Sequence, residues 1–156
     1  MCGIALGVWH HEDTQPRDAW TSVISQIQRR GRDAYHSVAC TQDGTRWELH
    51  ASVLCLRGKE LTPQPITSQD GHLHLAWNGQ IFSSEHEDDS LLDMERNDGA
   101  IIMTRLEEHA DQIPDVLVST LSAVDGPYAF VLVDTRNACI YLSLIHISEP
   151  TRQEAI

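Results

Sequence analysis

The chain begins with Met1-Cys2-Gly3-Ile4-Ala5-Leu6-Gly7-Val8-Trp9, a cysteine followed directly by small and apolar residues. The run from Gly3 to Trp9 is apolar without alternation, which is typical of a β-strand covered on both faces. Such a strand lies in the middle of a sandwich and holds the residue before it rigidly. The stretch therefore predicts a layered fold in which Cys2 has a fixed position at one end of a buried strand.

Cys2 can combine two chemical groups. If the initiator Met1 is removed, as a small second residue favours, Cys2 carries both its thiol and a free α-amine. A cysteine thiol has an ordinary pKa of about 8.5 and an α-amine one of about 7.7 to 8, so such an amine can take a thiol proton near neutral pH. N-terminal-nucleophile hydrolases work in this way. Taken alone, however, a cysteine at position 2 is more often incidental, and both interpretations stay open at this point.

Composition narrows the function classes. The 156 residues, 41% of them apolar, suit one globular domain with a real core. The 23 acidic and 11 basic residues give a formal charge of -12, which opposes binding to nucleic acid or anionic membranes. The cysteines have no metal-finger or CxxC spacing, the start has no secretory signal and no run of 18 apolar residues exists. These observations predict a cytoplasmic protein with reduced thiols and no metal site.

The first half of the chain predicts one helix and three further strands. Pro16 and Gly31 bracket a helical pattern over about residues 16–29. Strands are expected over residues 34–41 and 47–56, joined by a tight hairpin turn at Asp43-Gly44. Residues 72–77 alternate with period two, and the following Asn78-Gly79, by itself, predicts a second hairpin turn.

The second half predicts two helices and two strands. Residues 83–93 are acidic without periodicity and indicate a solvated loop. Asn97-Asp98-Gly99 supplies cap chemistry for a helix that ends at about residue 109, with Ile102 and Leu106 one turn apart. A shorter helix over 114–122 leads to a buried strand over 128–133 and another over 138–142. Because strands and helices do not alternate as βαβ units, the fold class is α+β.

Several short stretches follow one another in a characteristic order: Met1-Cys2-Gly3-Ile4, Arg30-Gly31-Arg32-Asp33, Arg57, Trp77-Asn78-Gly79-Gln80-Ile81-Phe82, Asp98 and Gly126-Pro127-Tyr128-Ala129-Phe130. Together they resemble the class II glutamine amidotransferase domain. The stretches at 54–58, 61–65 and 77–82 look most like asparagine synthetase domain-containing proteins. The resemblance covers roughly residues 1 to 142.

The resemblance implies a four-layer αββα N-terminal-nucleophile sandwich that hydrolyses L-glutamine to glutamate and ammonia. It also implies a role for each matching residue: Cys2 as nucleophile, Asn78 and Gly79 as the oxyanion hole, Arg57 for the substrate's α-carboxylate, Asp98 for its α-ammonium, and Arg30, Gly31 and Gln80 as further substrate-binding residues. No cofactor is implied for this half. ATP and Mg are expected only in a separate synthetase domain, which would hold the ammonia acceptor.

Two residues depart from the family's pattern. Arg32 stands where the family has a proline, and Gln80 stands where it usually has glutamate, so a loop loses a φ-fixing ring and the site loses a carboxylate. Neither change affects the nucleophile or the oxyanion donors, and we expect activity to be reduced sooner than lost. Two alternatives are a non-catalytic glutamine-binding or protein-interaction module and a structural remnant without function.

The end of the chain does not follow the family. The domain is expected to span residues 1–141, while residues 142–156 resemble the conceptual translation of a sequencing adapter and are expected to be a non-native tail. The alternative is that they form the natural end of a helix or strand. If the tail is non-native, the domain is truncated and its sandwich is incomplete at the C-terminus. A sheet edge left uncovered in this way tends to aggregate or to recruit another chain.

Overall fold

A computed structural model describes residues 2–10, 17–55, 61–84 and 96–145. The elements in this part of the chain are, in order, β1 (Gly3–His10), α1 (Arg17–Arg30), β2 (Ala34–Gln42), β3 (Thr45–Val53), β4 (Ile66–Thr67), β5 (Leu73–Gly79), β6 (Ser83–Ser84), α2 (Asp98–Glu108), a 3-10 turn (Ala110–Gln112), α3 (Asp115–Ser122), β7 (Val124–Asp125), β8 (Tyr128–Asp134) and β9 (Cys139–Ile145). Predicted Arg57, the acidic residues 85–93 and the tail residues 146–156 lie outside the described residues.

The first sheet has three antiparallel strands in the order β1-β3-β2. Strands β2 and β3 form the predicted hairpin, and its turn residues Asp43 and Gly44 have φ values of 50° and 75°. These positive values fit the tight turn that an Asp-Gly pair favours. The prediction of a hairpin at this position is therefore confirmed.

Strand β1 is covered on both faces over most of its length, as its apolar run predicts. It lies at the edge of the three-stranded sheet in the described part of the chain, with β3 as the central strand. One face contacts α1, where a Cβ on Gly3 would lie 2.7 Å from the carbonyl oxygen of Ile27. On the other face Ile4 and Leu6 pack against the core between the sheets, while Val8 near the end of the strand is 48% exposed.

The second sheet has four antiparallel strands in the order β4-β5-β8-β9. Strand β8 is buried along its whole length, as its apolar run predicts. Asn78 and Gly79 are the last residues of β5 and pair with β8, so the hairpin turn suggested by this dipeptide alone is wrong. The chain continues outward instead, and β6 pairs with β7. Strand β9 runs to Ile145, beyond the predicted end at residue 142.

The two sheets pack against each other through a core of buried residues: Trp47, Leu49, Ala51, Ala76, Val131 and Val133. The other face of the second sheet packs against α2 and α3 in a larger core that includes Leu75, Trp77, Ile102, Leu106 and Phe130. The chain is therefore an α+β fold, as predicted. No helix in the described ranges is long and apolar enough to cross a membrane.

The predicted helix signals are also confirmed. Helix α1 spans 17–30 against the predicted 16–29, and Gly31 follows it directly. Asn97 is the N-cap of α2, and its Oδ1 accepts a hydrogen bond of 3.0 Å from the Gly99 N–H. This pairing satisfies one of the unpaired amides at the helix start and fixes where α2 begins, next to the end of β5.

Candidate functional site

Cys2 and Asn78 meet where the ends of the two sheets come together. The backbone nitrogen of Cys2 donates a hydrogen bond of 3.2 Å to Asn78 Oδ1. In the chain as printed this nitrogen belongs to the Met1–Cys2 peptide, and it stands for the α-amine that removal of Met1 would create. Since Asn78 Oδ1 accepts from Cys2, the NH2 group of the same side chain is the end that can donate to another ligand.

The Cys2 thiol lies beside the end of β3. Its Sγ is 3.9 Å from the carbonyl oxygen of Leu54, and the residue is only partly buried. Cys2 therefore combines a fixed backbone nitrogen with a thiol that solvent or a ligand can reach.

The alternation of β5 explains why Asn78 faces Cys2. Ala76 belongs to the core between the sheets, and Asn78, two residues further along, points to the same side, whereas Trp77 packs toward the helices. The Trp77 N–H donates to Gln64 Oε1 at 2.7 Å, on the side of β5 away from β8. By the same alternation the Gly79 N–H points away from β8. One side-chain donor and one backbone donor thus stand on consecutive residues.

The residues that follow β5 are held by their backbone. Three successive N–H groups donate hydrogen bonds: Gln80 to the Pro127 carbonyl at 3.0 Å, Ile81 to Asp98 Oδ2 at 3.0 Å, and Phe82 to the Asp125 carbonyl at 2.8 Å. A Cβ on Gly79 would lie 2.5 Å from the Tyr128 Cβ, so this backbone approaches β8 more closely than any other residue type would allow. The segment after Asn78 has little freedom to move.

Asp98 is the first residue of α2 and is 4% exposed. Besides accepting the Ile81 N–H, its carboxylate lies at the helix N-terminus, where the helix dipole stabilises negative charge. A carboxylate has about four acceptor positions and can accept several hydrogen bonds at once. The structure thus brings Asp98 to the segment that follows Asn78.

The remaining predicted residues in the described ranges are Gly31, Arg30 and Gln80. Gly31 is buried, and a Cβ there would lie 2.5 Å from the Val53 backbone nitrogen, so the loop after α1 packs tightly against the end of β3. Asp33 reinforces that contact because its Oδ2 accepts the Cys55 N–H at 2.7 Å. Arg30 and Gln80 are exposed.

Two buried polar residues near the site were not predicted as functional. Ser52 is 0% exposed and bonds the Gly3 N–H, while Gln64 is 2% exposed and bonds the Trp77 N–H. Each contacts the residue next to Cys2 or Asn78. A serine within a strand carries no signal of such a contact, whereas Gln64, between two prolines in a stretch that the resemblance included, could have been suspected.

Other features of the described residues lie away from Cys2. No group of three or more His, Cys, Asp and Glu residues in these ranges could hold a metal ion. A cavity of about 430 Å³ opens between β5 and α2, lined by residues such as Asp70, Thr104 and Glu107. It includes neither Cys2 nor Asn78, so the candidate site is defined by the convergence of strand ends.

Comparison with known families decides the assignment. The glutamine amidotransferase domain family matches residues 1–147. The chain belongs to this family. A glutamine amidotransferase domain acts on glutamine, which accords with a cysteine and an amide donor meeting at one point. The match also includes β9, so it extends past the boundary expected at residue 141.

The curated relatives carry related names. The chain is 31% identical over 131 residues to asparagine synthetase domain-containing protein 1 of Bos taurus and 33% identical over 134 residues to that of Gallus gallus, in each case over 84% of this chain. It is 29% identical over 143 residues, 89% of this chain, to the glutamine-hydrolyzing asparagine synthetase of Asparagus officinalis. The alignments cover 19%, 20% and 22% of these three proteins, so the chain corresponds to about a fifth of each.

Proposed function

We propose that this glutamine amidotransferase domain hydrolyses L-glutamine to glutamate and ammonia, with Cys2 as the nucleophile. The observation that carries the proposal is the 3.2 Å contact between the Cys2 nitrogen and Asn78 Oδ1. It supports a site in which a thiol, a proton-carrying amine and an amide donor act on one carbonyl group. The reaction class is acyl transfer to water.

The first half of the proposed reaction forms a thioester. After removal of Met1, the α-amine of Cys2 takes the thiol proton, and the thiolate attacks the side-chain amide carbon of glutamine. The C–N bond breaks as the amine returns the proton to the leaving nitrogen, and ammonia departs. In the second half, water gives a proton to the same amine and attacks the thioester, which releases glutamate and restores the thiol.

Asn78 and Gly79 stabilise the negative oxygen that forms during both attacks. The NH2 group of Asn78 is available because its Oδ1 faces Cys2, and the Gly79 N–H points away from β8. Removing one such donor typically raises the barrier by about 2.7 to 4 kcal/mol. The backbone bonds that follow Gly79 keep both donors in place without movement during the reaction.

The substrate's charged groups need partners of opposite charge. Asp98 receives the α-ammonium, since its buried carboxylate lies beside the segment that carries the oxyanion donors. Arg57, outside the described residues, receives the α-carboxylate by a bidentate pair. Arg30, Gly31 and Gln80 complete the surroundings of the substrate.

We further propose that the domain has the four-layer αββα arrangement of N-terminal-nucleophile hydrolases. The contacts of α1 with the first sheet, of the two sheets with each other, and of α2 with the second sheet support that order. The names of the relatives suggest that ammonia passes to an asparagine-synthetase-like domain, and ATP and Mg are the cofactors that we expect in that domain. That acceptor belongs to the proposal for the whole protein.

Two measurements test the proposed function. Mass spectrometry of the purified protein should find Met1 removed, because the mechanism needs the α-amine of Cys2. Ammonia release from glutamine should then be measured for the wild type, Cys2→Ala and Cys139→Ala. Cys139 lies at the start of β9 with its Sγ 3.3 Å from the Asn137 carbonyl, and it serves as a matched cysteine control.

We expect release by the wild type and Cys139→Ala and none above background by Cys2→Ala, a loss of at least about 10³-fold. Equal release by wild type and Cys2→Ala would contradict the nucleophile. A fully retained Met1 with no ammonia release, but with saturable glutamine binding, would instead establish the non-catalytic glutamine-binding module.

A further inference from the structure

We propose that Ser52 is a positioning residue for Cys2, because its hydroxyl holds the peptide group that joins Cys2 to β1. This inference rests on the proposed glutaminase function. Ser52 lies in β3 opposite Gly3 and is 0% exposed. Its Oγ accepts a hydrogen bond of 3.2 Å from the Gly3 N–H and donates one of 2.5 Å to the Ile27 carbonyl.

The directions of these two bonds are determined by the groups involved. A hydroxyl has one hydrogen, and the Ile27 carbonyl can only accept, so the hydrogen points to Ile27 and a lone pair faces the Gly3 N–H. Ile27 is among the last four residues of α1, whose carbonyls have no partner inside the helix. Ser52 therefore links the end of α1 to the first residue of β1.

Because the peptide bond is planar, this link also restricts the position of Cys2. The Gly3 N–H and the carbonyl and Cα atoms of Cys2 lie in one plane, so a fixed N–H direction also fixes the plane that carries the Cys2 Cα. The Cys2 nitrogen is held separately by Asn78 Oδ1. With both sides of Cys2 anchored, its Cα, from which the thiol projects, keeps one position relative to the oxyanion donors.

Close packing confines the Ser52 hydroxyl to its two partners, the Gly3 N–H and the Ile27 carbonyl. A Cβ on Gly3 would lie 2.7 Å from Ser52 Oγ, and one on Gly31 would lie 2.5 Å from the Ser52 carbonyl carbon. The backbone reaches Ser52 from both sides only because these two residues are glycines. Removing the hydroxyl would therefore leave the Gly3 N–H and the Ile27 carbonyl buried without a partner and would release the peptide next to Cys2.

Ser68 provides a matched control. It is 5% exposed, its Oγ accepts the Leu73 N–H at 2.9 Å, and it donates to Asp70 Oδ1 at 2.7 Å. Leu73 is at the opposite end of β5 from Asn78. Ser68→Ala thus removes a buried hydroxyl with the same two roles, without contact to Cys2, and we expect both alanine variants to lower Tm by similar amounts.

The kinetic test compares the two variants. In Ser52→Ala we expect kcat for ammonia release to fall at least ~10-fold with KM within about twofold of the wild type, because misplacement of a reacting group slows the chemical step more than binding. In Ser68→Ala we expect kcat within about twofold of the wild type. Equal values of kcat in the two variants would overturn the proposal.

A second measurement does not depend on activity. In protein labelled with [13Cβ]cysteine, the Cys2 NMR signal is identified by its absence in Cys2→Ala. We expect this signal to broaden or split in Ser52→Ala and to stay as in the wild type in Ser68→Ala. A Cys2 signal unchanged by Ser52→Ala would overturn the positioning role. If the wild type releases no ammonia but the Cys2 signal changes in Ser52→Ala as expected, the positioning role is supported and only the glutaminase function is rejected.

If Ser52→Ala does not fold, the wild type still tests the contact. We expect the Gly3 amide to exchange with deuterium as slowly as the amides of β1 that pair with β3, because its acceptor is a fully buried hydroxyl. Rapid exchange at Gly3 beside slow exchange in the rest of β1 would overturn the proposal.

Discussion

The two sheets contribute to the site in different ways. At the end of the first sheet, Cys2 is anchored by single bonds to the side chains of Ser52, through Gly3, and Asn78. At the end of the second sheet, the segment after Asn78 is anchored by three successive backbone N–H groups, two bonded to backbone carbonyls and one to the Asp98 carboxylate. Trp77 also stacks on Tyr128 there, with ring centroids 4.9 Å apart.

Because of this difference, substitutions should affect the position of Cys2 and the position of the segment after Asn78 differently. A substitution of one side chain can displace Cys2 while the first sheet stays intact, because each anchor of Cys2 is a single polar group. The segment after Asn78 has several anchors, so its position should survive the loss of any one side chain and fail only when the backbone itself is displaced. Chemistry at Asn78 can therefore be changed without changing the position of its strand.

The largest effect in this comparison is expected from Asn78→Asp. The carboxylate still accepts from the Cys2 nitrogen, but it cannot donate to the oxyanion and places negative charge near it, so kcat should fall about 10² to 10³-fold while Tm changes little. Steady-state ammonia release and thermal unfolding check this. Asn97→Asp is the control, since aspartate serves equally well at a helix N-cap, and it should keep the wild-type kcat. Equal activity of the two variants would remove Asn78 from the oxyanion hole.

The second expectation concerns the backbone of the segment after Asn78. Gly79→Ala should destabilise the fold by about 3 kcal/mol or more, since the added Cβ would lie 2.5 Å from the Tyr128 Cβ, and overpacking of this kind is costly. Gly71→Ala is the control: its φ of +78° is unfavourable for alanine, but its Cβ would meet nothing within 4 Å, so a loss of about 1 kcal/mol is expected. Denaturant unfolding measures both, and equal losses would mean that β5 can shift away from β8.

The smallest effect is expected from a change of pH, which should lower the stability of the two sheets in different pH ranges. Burial between the sheets, together with the nearby His72, lowers the pKa of His74 below its ordinary 6.5. Unfolding then takes up a proton, so this contribution to stability is complete above pH 6.5 and is lost as the pH falls below it. In the first sheet, burial opposes ionisation of Glu48, but hydrogen bonds from Arg46, Trp20 and His50 outweigh it and lower the pKa of Glu48 below 4.5. Its contribution is lost only below that pH.

The pH expectation is checked with His74→Gln. Between pH 7 and pH 5.5 the Tm of the wild type should fall by roughly 2 °C more than that of His74→Gln, measured by differential scanning calorimetry in buffers of equal ionic strength. His109→Gln serves as a control outside the sheets and should follow the wild type. If His74→Gln and the wild type lose the same Tm, protonation of His74 does not weaken the second sheet above pH 5.5.

The reliable predictions from sequence were those that depend on local chemistry. Asp43-Gly44 specifies a tight turn because both residues tolerate positive φ, and Asn97 specifies a helix start because its side chain replaces a missing acceptor. The apolar run from Tyr128 likewise predicts a buried strand. Each of these signals lies within a few residues and needs no knowledge of distant parts of the chain.

Predictions that depend on distant neighbours were less reliable. Asn78-Gly79 has the composition of a turn, but pairing with Ala129 and Tyr128 makes it the end of a strand. The run that starts at Gly3 predicted a strand covered on both faces, but it did not predict that this strand lies at a sheet edge in the described structure. In both cases tertiary contacts decided what the local sequence left open.

By itself the sequence determined the fold class, most element boundaries and, through the order of its short motifs, the glutamine amidotransferase family. The tertiary structure decided which groups meet: the Cys2 nitrogen and Asn78 are 76 positions apart in the chain yet 3.2 Å apart in space, and Ser52 is bonded to Gly3 from 49 positions away. Composition and periodicity report on neighbours along the chain, whereas the anchoring of a nucleophile depends on the directions of individual hydrogen bonds between strands and helices. Those directions exist only once the sheets have packed.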